Sequence, residues 1–124
     1  MNERQAVVPE MTLLIVDHWR LLRTLARLGD QLPDAPRGRI AAQVRFQQGR
    51  LDNVLAGLGL GLVTYEGRAF DGTLPPSAQN ADDFADAGPL IIAETVEPTV
   101  VANGQILHSG KVNLAPEQTH VPRN

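Results

Sequence analysis

The chain has 124 residues, a formal net charge of −3, a hydrophobic fraction of 43% and no cysteine. That length accommodates one compact unit, or a short helical segment followed by a small β domain, and excludes two full domains. The missing cysteine excludes disulfides, thiolate metal ligands and a cysteine nucleophile, and no apolar run suits a signal-peptide core or a bilayer span, so a cytoplasmic protein without membrane association is expected.

Aromatic residues make up only 4% of the sequence, so the core must rest on Leu, Val, Ile and Ala. A core that thin is commonly supplemented by oligomerisation. The charge is unevenly spread. Up to Leu58, eight arginines face six acids, whereas from Gly59 onward three basic residues face eight acids. The second half repels nucleic acid, and the arginines of the first half alternate with acids at helical spacing, as on a solvated face.

In chain order, residues 1–9 read as a flexible N-terminus. Pro9 followed by Glu10 suits a helix start, with the acid near the positive end of the helix dipole. Leu14, Leu21, Leu25 and Leu28 form one apolar stripe, and Ile15, Trp19, Leu22 and Ala26 a second beside it. So wide an apolar face needs more than one neighbour. Gly29 and Asp30 end this helix, and Pro33 and Pro36 mark a loop. Asp34 is placed to cap a second helix carrying Ile40, Val44, Leu51, Val54, Leu55 and Leu58, which Gly57, Gly59 and Gly61 stop. Residues 10–59 are therefore expected to form a helical hairpin. Two helices cannot enclose both stripes, so the hairpin should dimerise into a four-helix bundle through Leu14, Trp19, Leu22, Leu25, Val44, Leu51 and Leu55.

Residues 60–115 change to β texture. Leu62 to Tyr65 reads as a strand, Phe70 to Gly88 as a long loop, and Pro89 to Val96 as a buried strand. Asn103-Gly104 between Thr99–Ala102 and Gln105–His108 gives a hairpin closed by a type I′ turn, since both central positions of that turn need positive φ. Gly110 permits a bend before a last strand, Lys111–Leu114. Residues 116–124 read as a flexible tail. The predicted fold class is α+β, with a small antiparallel β domain following the hairpin.

Little in the chain points to catalysis. His18, His108 and His120 fall on different elements, with no neighbouring carboxylate pair at metal-ligand spacing. Ser77 and Ser109 lack glycines two residues to either side, as a nucleophile elbow requires. The Gly57-Leu-Gly-Leu-Gly61 run closes a helix, whereas a phosphate-cradling loop leaves a strand and opens one. Asp82-Asp83 and Glu94 with Glu97 read as solvated charge.

The ordered segments carry a family resemblance. LDNVLAGLGLGLV (Leu51 to Val63), YEGRAFDG (Tyr65 to Gly72), PLIIAETVEP (Pro89 to Pro98) and NGQILHSGKVNLA (Asn103 to Ala115), preceded by LLIVDHWRLLRTLARL (Leu13 to Leu28), resemble the C-terminal half of the GrpE family over roughly residues 10 to 115. The family's Phe-Asp-Pro motif matches at Phe70 and Asp71 but has Gly72 for the proline. Pro75-Pro76-Ser77-Ala78 replaces a His-Glu-Ala element, and Gln105 and His108 stand where arginines are usual. The family's long N-terminal coiled-coil helix has no counterpart in these residues.

The resemblance implies a non-enzymatic homodimer without cofactor or metal that promotes ADP release from a DnaK-type heat-shock chaperone by binding its nucleotide-binding domain. It places partner contacts at Val96, Gln105 and Leu114, in the β wing. Separately, the acidic charge of that half suits a partner that offers basic groups. For Val96 and Leu114 sheet core is the alternative, and for Gln105 simply a polar position after a tight turn. A scaffold or adaptor module without exchange activity is the other functional reading.

Overall fold

The computed structural model describes residues 3–84, 86 and 88–117, with side chains from residue 9 onward. Its architecture is α+β: two helices, then seven short strands. The chain divides into two units, Met1–Gly61 and Leu62–Asn124.

The first unit pairs α1 (Glu3–Gly29) with α2 (Asp34–Leu58). Described α1 begins at Glu3, six residues ahead of the start read from Pro9-Glu10, and Pro9 lies inside it. As the seventh residue of the helix, the proline removes the bond its N–H would have given the carbonyl of Gln5 and crowds that carbonyl with its ring. Thr12, Ile15, Val16, Trp19 and Leu22 of α1 and Leu51 and Leu55 of α2 are buried. The 3-1-3-3 spacing of the α1 set puts them on one face, as a period of 3.6 demands. Asp34 does not cap α2. Pro33, extended at ψ 166°, occupies the cap without a side-chain bond, and Asp34 takes the first helical position and accepts from Arg37 Nη2 one turn on. The far end closes as a Schellman motif: Gly59 N–H donates to the Ala56 carbonyl and Leu60 N–H to that of Leu55, with Gly59 at φ 70°.

The second unit holds two sheets. One orders β1 (Gly61–Val63), β5 (Thr99–Ala102) and β6 (Gln105–His108) as β1-β5-β6. The other orders β2 (Ala69–Phe70), β4 (Leu90–Glu97), β7 (Lys111–Pro116) and β3 (Ser77–Ala78) as β2-β4-β7-β3, antiparallel except for the β3–β7 pair. The expected loop from Phe70 to Gly88 thus holds the edge strand β3, the end of the edge strand β2 and a 3-10 turn at Ala81–Phe84. Tyr65, Ile92, Val112 and Leu114 form the core, flanked by Val63, Phe70, Leu74, Ala78, Phe84 and Leu90.

Residues 90–116 make one long bent ribbon. β4 passes into β5 through Pro98, and β6 into β7 through Ser109 and Gly110, so both arms change sheet at the same level, between the Val100↔His108 and Glu97↔Lys111 pairs. Such corners are where strands of two packed sheets cross over. Residues 118–124, and with them His120 and most of the expected tail, lie outside the described residues.

Candidate recognition surface

The ribbon's tip is fixed by its turn. Asn103 has φ 53° and Gly104 φ 79°, the pair of positive angles a type I′ turn requires, and Ala102 pairs with Gln105 across it. Directly beyond, Gln105, Ile106 and Leu107 are all exposed, Ile106 by 52%. Three consecutive exposed residues break the alternation of a half-buried strand. The cause is a register shift: Val101 pairs with Ile106 but Val100 with His108, so Leu107 is the extra residue of a bulge. β6 is also the outer strand of its sheet.

The three sequence-predicted contacts separate. Gln105 is exposed at the start of β6. Val96 is half-buried, and the shift between Thr95 and Glu97 against β7 leaves it unpaired in a second bulge. Leu114 is not on the surface. It is 3% exposed and pairs with Ile92 in the core cluster, because β7 directs Val112 and Leu114 inward and leaves Lys111 and Asn113 on the other face. Ile106 and Leu107 were not among the expected contacts. Their signal was two adjacent apolar residues just past the pair that closes a two-residue turn, of which a pleated strand can send only one to a core face.

A buried polar network holds the bend beneath this tip. The Tyr65 hydroxyl donates to Thr99 Oγ1 at 2.8 Å, and the Thr99 hydroxyl donates to the Ser109 carbonyl, joining the two ribbon arms. The Thr95 hydroxyl accepts from Tyr65 N–H at 2.9 Å and donates to Glu66 Oε1 at 3.0 Å, while Thr95 N–H donates to Glu66 Oε2 at 2.7 Å. His108 Nε2 lies 2.8 Å from Glu97 Oε1 across the ribbon. Every buried side-chain nitrogen and oxygen among the described residues has a partner. A satisfied network of this kind fixes one geometry, because the Thr95 and Thr99 hydroxyls each have both a donor and an acceptor role assigned. Gly110 completes the bend at φ 92°, with the Glu97 carbonyl oxygen 2.6 Å from where a β-carbon would stand.

The surface of this unit is acidic: Glu66, Asp71, Asp82, Asp83, Asp86 and Glu117 are exposed, against Arg68 and Lys111. Asp71 is held below the usual 3.8 by the hydroxyl of Thr73 and then by the Thr73 N–H, which donate to Oδ1 at 2.6 and 3.0 Å. Among the described residues, no group of three or more His, Cys, Asp or Glu is placed to hold a metal ion, and no helix is long and apolar enough to cross a membrane.

In the helical unit the residues expected at a dimer interface also divide. Trp19, Leu22, Leu51 and Leu55 are buried within the chain and Val44 is half-buried, whereas Leu14 is 69% exposed and Leu25 is exposed as well. Leu21 and Leu28 share the exposure of Leu14 and Leu25, as do Phe46, Val54 and Leu58 of α2. Neither a family model, nor a curated protein, nor a solved structure matches the chain.

Proposed function

We propose that this chain is a GrpE-like nucleotide exchange factor: a cytoplasmic, non-enzymatic homodimer that binds the nucleotide-binding domain of a DnaK-type chaperone and promotes release of ADP. The observation that carries the reading is the bent ribbon, built from the two segments that most resemble the family (PLIIAETVEP and NGQILHSGKVNLA), which ends in an exposed polar-apolar strand on an acidic unit. Partner contacts are then Gln105 and Val96, joined by Ile106 and Leu107. Leu114 acts from below as the core residue that sets the ribbon's position. Side chains that become fully buried at the centre of an interface, ringed by contacts that exclude water, carry most of its binding energy.

The exchange itself follows from differential binding. A partner that holds the open, ADP-free form of the chaperone more tightly than the closed form lowers ADP affinity by the same factor, and a coupling of about 1–3 kcal/mol corresponds to roughly 5- to 150-fold. No chemistry is needed at this chain. Reciprocity supplies the test: the affinity for an isolated DnaK-type nucleotide-binding domain, measured by calorimetry, should fall when ADP saturates the domain. Equal affinity with and without ADP would defeat the exchange reading.

Dimerisation is supported by the exposed leucine stripe of α1. Leu14, Leu21, Leu25 and Leu28 are 36–69% exposed in the single chain, so covering all eight in two copies contributes on the order of 6–13 kcal/mol at about 1.5–3 kcal/mol per fully buried leucine, comparable with an association cost of roughly 4–15 kcal/mol. Val54 of α2 lines the same surface hollow as Leu14, and a four-helix bundle covers the stripe. The same exposed leucines favour the second reading, an adaptor that holds another partner through its helices without exchanging nucleotide. A folded dimer that binds no DnaK-type chaperone would select it.

A further inference from the structure

We propose that the tip of the β5–β6 hairpin is a site of spontaneous covalent modification, at which Asn103 loses its side-chain amide to become an aspartyl or isoaspartyl residue. Four asparagines lie among the described residues, and three are protected. Asn80 is held at both ends by Leu114, accepting from its N–H at 2.8 Å and donating to its carbonyl at 3.1 Å. Asn113 donates to Glu94 Oε1 at 3.2 Å and accepts from Gln79 at 3.3 Å. Asn53 sits inside α2 before the branched Val54. Asn103 differs on each count. It is exposed, no hydrogen bond among the described residues holds its carboxamide, and it precedes a glycine around which a β-carbon would meet nothing within 4 Å.

The reaction needs only solvent. The backbone nitrogen of Gly104 attacks Asn103 Cγ, an N–Cγ bond forms, the amide proton passes to the departing group, and the Cγ–Nδ2 bond breaks to release ammonia. Water then adds to the five-membered imide: attack at Cγ breaks its new bond to nitrogen and gives aspartate, and attack at the backbone carbonyl carbon breaks the original peptide C–N bond and gives isoaspartate. In a type I′ turn the closing bond joins the first and fourth residues, here Ala102 and Gln105, so the Gly104 N–H is not committed to the turn. The attack still requires Asn103 to rotate out of its turn conformation, so the folded hairpin slows the reaction without preventing it.

The two products differ in consequence. Aspartate keeps the turn, since Asp-Gly also suits type I′, and adds a negative charge beside Gln105. Isoaspartate lengthens the backbone between Ala102 and Gln105 and breaks their register. Asp71-Gly72 is the comparable exposed pair, but there both bonds from Thr73 keep the carboxyl ionised, and a carboxylate resists attack by nitrogen.

The test is to incubate the folded protein at mildly alkaline pH beside a urea-unfolded sample and a synthetic peptide of residues 99–108. Conversion is then followed by peptide-mapping mass spectrometry and by isoaspartate-specific methylation. Amide loss should appear at Asn103 before any other described asparagine, several-fold slower in the folded protein than in urea, with Asp71 unchanged. An intact Asn103 amide in the folded protein after the peptide has largely converted, or earlier loss at Asn53, Asn80 or Asn113, would overturn the proposal.

Discussion

Gly110→Ala isolates what the bend of the ribbon requires. Residue 110 sits at φ 92°, where an L side chain is strained, and the added β-carbon would stand 2.6 Å from the Glu97 carbonyl oxygen and 3.0 Å from the carbonyl carbon and oxygen of Pro98. These are backbone atoms of the opposite arm, so neither partner can swing away. The backbone conformation costs about 1–3 kcal/mol and relieving the overlap about 1–3 kcal/mol more, roughly 2–6 kcal/mol against a typical total of about 5–15 kcal/mol. Gly59→Ala is the control, for its φ of 70° carries a similar backbone strain but its β-carbon would meet nothing within 4 Å, limiting the cost to about 1–2 kcal/mol. The chain has one Trp and one Tyr. Trp19 lies in the helical unit and Tyr65 in the β unit, so urea unfolding followed through the near-ultraviolet signal of each reports on its own unit. The Tyr65 transition of Gly110→Ala should move to markedly lower urea. An unmoved Tyr65 midpoint, or a Gly59→Ala variant as damaging as Gly110→Ala, would refute the reasoning.

Other predictions follow from the same structure. Thr95→Val removes the acceptor of Tyr65 N–H, and leaving that buried N–H without its bond should cost about 1–3 kcal/mol in denaturant unfolding of the β unit. Leu21→Asp combined with Leu25→Asp alters residues that are exposed in the single chain; helical circular dichroism should persist while light scattering falls from dimer to monomer mass, and an unchanged dimer would remove the leucine stripe from the interface. Asp71 titrates below 3.8 in the folded protein, so its hydrogen bonds to Thr73 contribute stability above the unfolded pKa that is lost as pH falls through the lowered folded value. By NMR titration its midpoint should rise in Thr73→Ala, and a midpoint indifferent to that change would show that Thr73 does not hold the carboxylate.

What could be read from the sequence was the local chemistry. The Asn103-Gly104 turn was legible because few residue pairs tolerate two positive φ angles, and the end of α2 because a glycine after a leucine run is a helix stop. The leucine-rich helical periodicity likewise gave the α+β order. What could not be read depended on partners distant in sequence. Pro9 looked like a helix start because proline suits a first turn, yet α1 runs through it at the cost of one hydrogen bond and a crowded carbonyl. Asp34 looked like a cap because its type is favoured there, but its carboxylate serves Arg37 instead. Ser77–Ala78 became a strand only because β7 offers it an edge. The site suffered most. Alternation counted from the sequence gives wrong faces once a bulge intervenes, and bulges at Val96 and Leu107 sit on both arms of the ribbon. That is why Ile106 and Leu107 stand in the open, whereas Leu114 is core by the plain alternation of β7, which sets it on the face of Val112.

The most direct test of the central claim is stopped-flow release of a fluorescent ADP analogue from DnaK-type chaperones of the source organism, with and without this protein. Wild type is compared there with Gln105→Ala and Ile106→Asp. The account predicts accelerated release that both substitutions reduce, Ile106→Asp the more strongly, while their unfolding midpoints stay at the wild-type value because both residues are exposed. No acceleration with any of those chaperones by a folded dimer would contradict it, as would acceleration that neither substitution affects.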